Sequence, residues 1–205
     1  MKYKKIDTKL FVKNRKNFVN KLERKSIAFF NSNDIYPISA DSTLPFDQHR
    51  DIFYLSGIDQ EESLLVLFPN SKKLVYKEML FIRETNEYIT HWEGEKLTKE
   101  QAKDISGINN IFWLNEFDSI LKEVLSQADF VYVNTNEHYR QNVQTQTRED
   151  RFINRLKKID GLKFKKSNPI LQKQRSVKDQ IEIELIKNAC EITKKGFERV
   201  LNFIK

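Results

Sequence analysis

The most informative pattern along the chain is a pair of apolar runs near residue 60. Residues 51–56 (DIFYLS) and 63–68 (SLLVLF) are separated by Gly57, Ile58 and the polar, mostly acidic residues 59–62. Glycine gives a turn the backbone freedom it needs, so the pattern predicts a strand, a loop and a second strand. The run SLLVLF is too continuously apolar to leave one face in water. It therefore predicts a strand in the middle of a sheet that is covered on both sides.

Alternating strand and helix patterns fill most of the chain. Asp7 or Thr8 can cap a helix with apolar residues at helical spacing, namely Leu10, Phe11, Phe18, Val19 and Leu22. Further strands are predicted at 26–31, 77–83, 110–114 and 129–134, and further helices from Thr98, at 115–126 and at 148–159. This alternation predicts an α/β fold with helices flanking the sheet. The sheet should be mixed, because the early strands are joined too closely for a crossover helix.

The C-terminal part of the chain is predicted to contain a loop, a linker and a long helix. Residues 135–146 are polar and patternless, and the basic stretch 162–175 contains Pro169. Asp179 and Glu182 form a capping-box pattern for a helix with apolar positions Ile183, Ile186, Ala189, Cys190, Thr193, Phe197, Leu201 and Ile204. An apolar stripe of this size is costly to leave in water. We therefore expect the helix to dock back on its own domain or to pair with a second copy.

Composition indicates a folded chain without membrane-spanning segments. Hydrophobic residues make up 39% and aromatic residues 12%, which argues against disorder. No apolar run approaches the roughly 20 residues that span a bilayer, and residues 1–5 do not lead into a secretion signal. The single Cys190 permits no internal disulfide, and its place in a helical pattern predicts a small buried side chain. We expect a cytoplasmic protein with no membrane partner.

The net charge of +7 is concentrated near the C-terminus. Residues 148–205 contain sixteen Lys and Arg against eight Asp and Glu, whereas residues 1–147 contain 20 and 21. The basic residues accompany an amphipathic pattern and lack a recurring alternation with aromatics. This favours a solvated or partner-facing surface over a nucleic-acid groove.

Most catalytic motifs are absent from the sequence. It has no Gly-rich phosphate loop, no His-Glu-x-x-His pair and no Gly-x-Ser-x-Gly elbow. The histidines His49, His91 and His138 are far apart, and each fits a surface or loop position. The acidic clusters 59–62 and 93–95 could hold a cation, but such clusters are more often solvated, so we expect no metal site.

Trp92 is the candidate functional residue. It lies beside His91 in the polar segment 84–97, where packing does not require a large aromatic. Two interpretations are open: the ring packs in the core or under a lid, or it is exposed for binding. The residues alone favour packing.

Three segments of the chain resemble the aminopeptidase P family of Xaa-Pro aminopeptidases. The densest match is 40–67 (ADSTLPFDQHRDIFYLSGIDQEESLLVL), which resembles the N-terminal domain of that family. Residues 89–98 (ITHWEGEKLT) resemble the segment whose Trp lies near the substrate channel, often that of a neighbouring subunit. Residues 175–193 (RSVKDQIEIELIKNACEIT) resemble the entry to the family's catalytic domain, with Asp179 and Gln180 replacing the usual Ser-Pro.

The resemblance implies a fold, a division of the chain and a function. It implies a ribonuclease H-like N-terminal domain over 1–174, and a linker end and first catalytic-domain helix over 175–205. In the family, a pita-bread domain holds two divalent ions, usually manganese, through two Asp, one His and two Glu, and cleaves the bond before proline. None of those ligands can be placed here, so the chain alone is expected to be inactive.

The expected partners are a proline-containing peptide, which would meet Trp92, and further copies of the protein in a homo-oligomer. Two alternatives are a creatinase-like or prolidase-like hydrolase with the same fold, and a non-catalytic binding module with the basic C-terminal region as its contact surface.

Overall fold

The computed structural model describes residues 5–135 and 145–204, which form a mixed six-stranded sheet between two layers of helices. The strands of this sheet are β1 Ser26–Asn31, β4 Leu64–Leu67, β5 Glu78–Ile82, β6 Ile111–Trp113, β7 Phe130–Val133 and β8 Lys163–Lys166. The short strands β2 Pro37–Ser39 and β3 Ser42–Thr43 form a separate exposed hairpin. The helices are α1 Thr8–Val19, α2 Arg50–Ser56, α3 Glu87–Glu93, α4 Lys99–Ser106, α5 Phe117–Leu125, α6 Arg148–Leu156, α7 Asn168–Ser176 and α8 Gln180–Phe203. Short 3-10 turns lie at Leu74–Tyr76 and Leu114–Glu116.

The strand order is β6-β5-β4-β1-β7-β8. Strand β4 runs antiparallel to both β1 and β5, whereas the pairs β5 and β6, β1 and β7, and β7 and β8 are parallel. The predicted mixed sheet is therefore confirmed, and β4 lies beside β1 at its centre. Every residue of these two strands is buried, as the run SLLVLF predicted.

The two faces of the sheet have separate cores, because successive strand residues point to opposite sides. On one face, Ile27, Phe29 and Val66 pack with residues of α5 and α6. On the other, Phe30 and Leu65 pack with residues of α1, α2, α4 and α7. The helix starts predicted at Asp7, Thr98 and Asp179 are confirmed, since each of these side chains accepts a hydrogen bond from the first turn.

The predicted strand at 51–56 is wrong, because this segment forms α2. The side chain of His49 accepts a hydrogen bond at the start of the helix, and Gly57 ends it in the left-handed region. At the C-terminal end, the carbonyl oxygens of Tyr54 and Leu55 accept from Asn14 Nδ2 at 3.0 Å and Arg15 Nη1 at 2.8 Å. These donors come from α1, so they satisfy carbonyls that a short helix leaves unpaired.

The predicted linker at 162–175 is also wrong, because the segment belongs to the domain. It contains β8, which adds a parallel strand beside β7, and most of α7, whose Leu171 is buried against the sheet. Only residues 177–179, here named the connector, separate α7 from α8. The division at residue 174 stays a prediction, and α7 runs across it.

Helix α8 has no buried residue along its length. It does not dock back on the domain, so that alternative is wrong for this structure, and Cys190 is exposed rather than buried. None of the helices that the structure describes, α8 included, is long and apolar enough to cross a bilayer.

The predicted helix at 148–159 is confirmed as α6 in its first nine residues. Most of the predicted loop at 135–146, including His138, lies outside the described residues.

Gly57 provides a test of how α1 and α2 pack. It has a φ of +71°, and an added Cβ would lie 2.4 Å from Cε2 of the buried Phe11. We expect Gly57→Ala to lower the free energy of unfolding by about 2–4 kcal/mol, through left-handed strain and overpacking together. Urea denaturation measures this change.

Gly161→Ala is the matched control. Gly161 also has a positive φ, of +82°, but no atom lies within 4 Å of the added Cβ. This variant should lose only the strain term, about 1–2 kcal/mol. Equal losses at both positions would show that close packing against Phe11 contributes nothing.

Candidate functional site

Trp92 lies on α3, a short helix that exposes its aromatic side chains. The Asn86 side chain accepts from Ile89 N at 2.9 Å and so begins the helix. Trp92 is 70% exposed and Tyr88, four residues earlier on the same face, is 74% exposed. The ring of His91 meets that of Trp92 edge-on, at 4.9 Å between centroids. Tyr88, His91 and Trp92 form what we call the aromatic surface, and the core-packing interpretation of Trp92 is wrong.

Arg83, which directly follows β5, holds the last residue of α3. Its Nη1 and Nη2 donate to the two carboxylate oxygens of Glu93 at 2.6 and 2.8 Å, and its Nε lies 3.3 Å from Glu62. The hydrogen bonds with Glu93 raise the pKa of Arg83 and lower the pKa of Glu93. A bidentate pair fixes orientation as well as distance, so α3 is tied to the end of a central strand.

A second set of contacts holds the segment that follows α3. Lys96 forms an ion pair with Glu61 in which both side chains are largely buried. Leu97 N donates to Gln60 Oε1 at 2.7 Å. Residues 59–62 are named here the acidic turn. They contact Arg83, which precedes α3, and Lys96 and Leu97, which follow it. Two of the turn's carboxylates serve as ion-pair partners, which is a different role from the solvated one expected from the sequence.

Gln48 fixes the position of the acidic turn. Gln48 is only 3% exposed. Its Nε2 donates to Ile58 O at 3.1 Å and to Gln60 O at 2.9 Å. Its Oε1 accepts from His49 N at 2.8 Å. The amide therefore joins the start of α2 to the turn before β4, and through that turn it supports α3.

The polar residues that lie near Gln48 in the sequence are only partly brought together in the structure. Gln48, His49 and Asp51 lie at the start of α2, whereas Arg50 pairs with Asp47 at the surface. Asp41 lies in the exposed turn between β2 and β3. Burial lowers the pKa of His49, even though Asp51 opposes this, and Nδ1 of the ring accepts from Asp51 N at 3.3 Å.

A chain of hydrogen bonds at one end of the sheet was not anticipated from the sequence. Asn31 Nδ2 donates to Glu149 Oε2 at 2.7 Å, and Asn134 N donates to Glu149 Oε1 at 2.9 Å. Asn134 Nδ2 then donates to Asp51 Oδ2 at 3.0 Å, and Arg175 Nη1 donates to Asp51 Oδ1 at 2.6 Å. We call these five residues the strand-end network. A usable signal was present, since the predicted strands 26–31 and 129–134 both end in Asn.

The strand-end network is mostly buried: Asn31, Asn134 and Asp51 are each less than 9% exposed. Burial raises the pKa of Glu149, although the hydrogen bonds from Asn134 and Asn31 oppose the shift. Asn134 is buried, and its Oδ1 has no hydrogen-bond partner among the described residues. Residues 5–135 and 145–204 contain no group of three or more His, Cys, Asp or Glu arranged to hold a metal ion.

Comparison with known proteins gives a consistent family. The family model described as "Aminopeptidase P, N-terminal domain" matches residues 11–132. An Xaa-Pro aminopeptidase of Haemophilus influenzae is 25% identical over 76% of this chain and 34% of its own length. Xaa-Pro aminopeptidase 3 of Dictyostelium discoideum is 28% identical over 81% of this chain and 30% of its own length. The chain thus spans about a third of the length of these relatives.

Solved structures give the same result for the fold. An aminopeptidase P from Bacillus anthracis superposes with a TM-score of 0.82 at 27% identity, over 93% of this chain and 45% of that one. Escherichia coli aminopeptidase P with the inhibitor Pro-Leu has a TM-score of 0.75 at 23% identity, over 92% and 43%. With a family model that matches more than half of its residues, the chain belongs to the aminopeptidase P N-terminal domain family.

Proposed function

We propose that this chain is the accessory, non-cleaving N-terminal part of an Xaa-Pro aminopeptidase, and that its aromatic surface lines the substrate channel. The observation that carries the proposal is the position of Trp92. The ring is exposed to solvent, yet its helix is tied to the domain on both sides through Arg83, Lys96 and the acidic turn. A ring that is both exposed and fixed in place is suited to binding.

The chemistry of a proline-containing peptide fits this surface. A pyrrolidine ring is apolar and compact, and it packs well against the flat face of an indole. Tyr88 lies 6.5 Å from Trp92 between ring centroids and extends the same surface. These residues would orient the peptide and exclude water from one side of it.

Peptide cleavage is assigned to residues outside this chain. The divalent ions that the family uses, which we propose to be manganese here, would supply an activated water. The described residues contain no cluster that fits such a pair, so we assign no metal ligand to them. We also propose a homo-oligomer, in which Trp92 would serve a neighbouring copy, and a cytoplasmic location, in keeping with the single Cys190.

The first prediction is that the 205-residue chain has no Xaa-Pro aminopeptidase activity with added manganese. A longer natural protein that continues for about 200 further residues, a domain-sized span, should be active. Robust metal-dependent turnover by the short chain would contradict the accessory role. A substrate panel that includes creatine and Xaa-Pro dipeptides would separate the creatinase-like and prolidase-like alternatives.

The second prediction concerns Trp92 in that longer protein. Trp92→Ala should raise KM for an Xaa-Pro peptide about tenfold with a smaller change in kcat, because an aromatic stacking contact is worth about 1 kcal/mol or slightly more. Trp92→Phe should restore much of the loss. Leu74→Ala is the control. Leu74 is also exposed, at 76%, but it lies before β5, at the other end of that strand from Arg83 and α3. An unchanged KM for Trp92→Ala would remove Trp92 from the channel.

The third prediction tests whether Arg83 holds α3 in place. Arg83→Gln removes a bidentate charge-assisted contact, so amide hydrogen exchange in α3 should accelerate about tenfold. Arg50→Gln, which breaks the exposed pair with Asp47 at 2.9 Å, should leave α3 unchanged. Equal protection of α3 in wild type and Arg83→Gln would show that the ion pair does not support it.

The fourth prediction concerns the apolar stripe of α8, which stays exposed in this structure. In a longer protein the following domain would cover it, and in the 205-residue chain a second copy should. Phe197→Ser with Leu201→Ser should therefore convert a dimer to a monomer in sedimentation velocity. Lys195→Ser with Arg199→Ser, on the opposite face of α8, is the matched control and should leave the dimer intact. A wild-type chain that is monomeric at high concentration would contradict this prediction.

A further inference from the structure

The connector between α7 and α8 is short. Helix α7 ends at Ser176 and α8 begins at Gln180, which leaves three residues between them. Asp179 accepts from Ile181 N at 3.0 Å and forms an ion pair with Lys13 of α1. A connector of this length transmits the orientation of α7 directly to the first turn of α8.

The first turns of α8 are the only part of it in contact with the domain, as far as the structure describes it. Ile181, Ile183 and Leu185 are partly buried, whereas every described residue from 186 to 204 is exposed. The helix has 24 residues and is therefore about 36 Å long. A tilt of about 10° at its start would move its far end by about 6 Å.

The orientation of α7 depends in turn on Arg175. Its guanidinium donates to Asp51 Oδ1 at 2.6 Å and lies 5.5 Å from the centre of the Tyr54 ring. The neighbouring Gln174 Nε2 donates to Asn14 O at 2.9 Å. Arg175 is thus held by both ends of α2, and its partner Asp51 is itself fixed by Asn134 at the end of β7.

We propose that Arg175 and Asp51 are positioning residues that set the direction in which α8 leaves the domain. The strand-end network carries this function, because it connects β1, α6, β7, α2 and α7 in one continuous path. Its consequence for catalysis depends on the proposed function, in which α8 leads into the catalytic domain. The direction of α8 itself depends only on residues of this chain.

The test measures the orientation of α8 directly. Spin labels are placed at Lys103→Cys on α4 and Lys194→Cys on α8, in a Cys190→Ser background, and the labelled chain is diluted with unlabelled chain. Double electron–electron resonance then reports the distance between the domain and α8. Residue 194 lies 14 residues, about 21 Å, from the start of α8. Arg175→Gln should therefore move the centre of the distance distribution by about 4 Å, or broaden it by a comparable amount, for a tilt of about 10°.

Arg155→Gln is the matched control. It breaks an Arg–Asp pair of similar length, 2.7 Å to Asp118, on the opposite face of the sheet, and should leave the distribution unchanged. Asp51→Asn should reproduce the effect of Arg175→Gln. The double variant Arg175→Gln with Asp51→Asn should change the distance distribution about as much as either single variant does, because the two residues act through one contact.

Circular dichroism establishes that each variant is folded before its distances are read. If Arg175→Gln does not fold, Arg175→Lys, which keeps the charge but loses the planar donor geometry, is read in its place. An unchanged distribution in a folded Arg175 variant would overturn the proposal, as would an equal change in Arg155→Gln. The spin-label experiment measures no activity. An inactive longer protein would therefore refute the proposed function without changing the measured distances.

Discussion

The buried amide of Gln48 is the contact on which the arrangement of the candidate site depends. A side-chain amide in the interior must find partners for both its oxygen and its nitrogen. Gln48 finds them in the backbone at the start of α2 and in the backbone of the acidic turn. The turn therefore has one position relative to α2, and it presents Glu62 to Arg83 and Glu61 to Lys96. Through these contacts the buried amide supports the helix that carries Trp92.

Charge is used in this protein mostly to fix segments in place. The acidic turn and the Asp51–Arg175 pair each join elements that are far apart along the chain, and the Arg83–Glu93 pair joins β5 to the helix that follows it. Partly buried pairs with good geometry cost more to break than exposed pairs such as Arg50–Asp47. This explains how a domain can hold an exposed aromatic helix and a projecting α8 with few apolar contacts to either.

The sequence predicted what continuous apolar runs and local caps determine. The run 26–31 was predicted as a strand and 63–68 as a strand in the middle of the sheet, and both are confirmed. Asp7, Thr98 and Asp179 cap helices through contacts within a few residues. Segment 51–56 was mispredicted because its β-prone composition is overridden by donors from α1, about 40 residues away. Segment 162–175 was taken for a linker because the basic residues of β8 lie at a sheet edge, where strands need little hydrophobicity. The functional role of Trp92 stays a prediction. The network around Asp51 was missed because its contacts join residues far apart along the chain.

The position of β8 and α7 in the chain has a consequence for biosynthesis. A nascent chain emerges from its N-terminus, and long-range contacts can form only after both partners have been made. Asp51 and Arg175 are separated by 124 residues, and β8 completes the sheet edge beside β7 only when residue 166 is available. About nine-tenths of the domain, residues 1–162 of 1–176, is therefore synthesised before β8 can cover the free edge of β7. Arg175, the partner of Asp51, and Gln180, the first residue of α8, are then synthesised within five residues of each other.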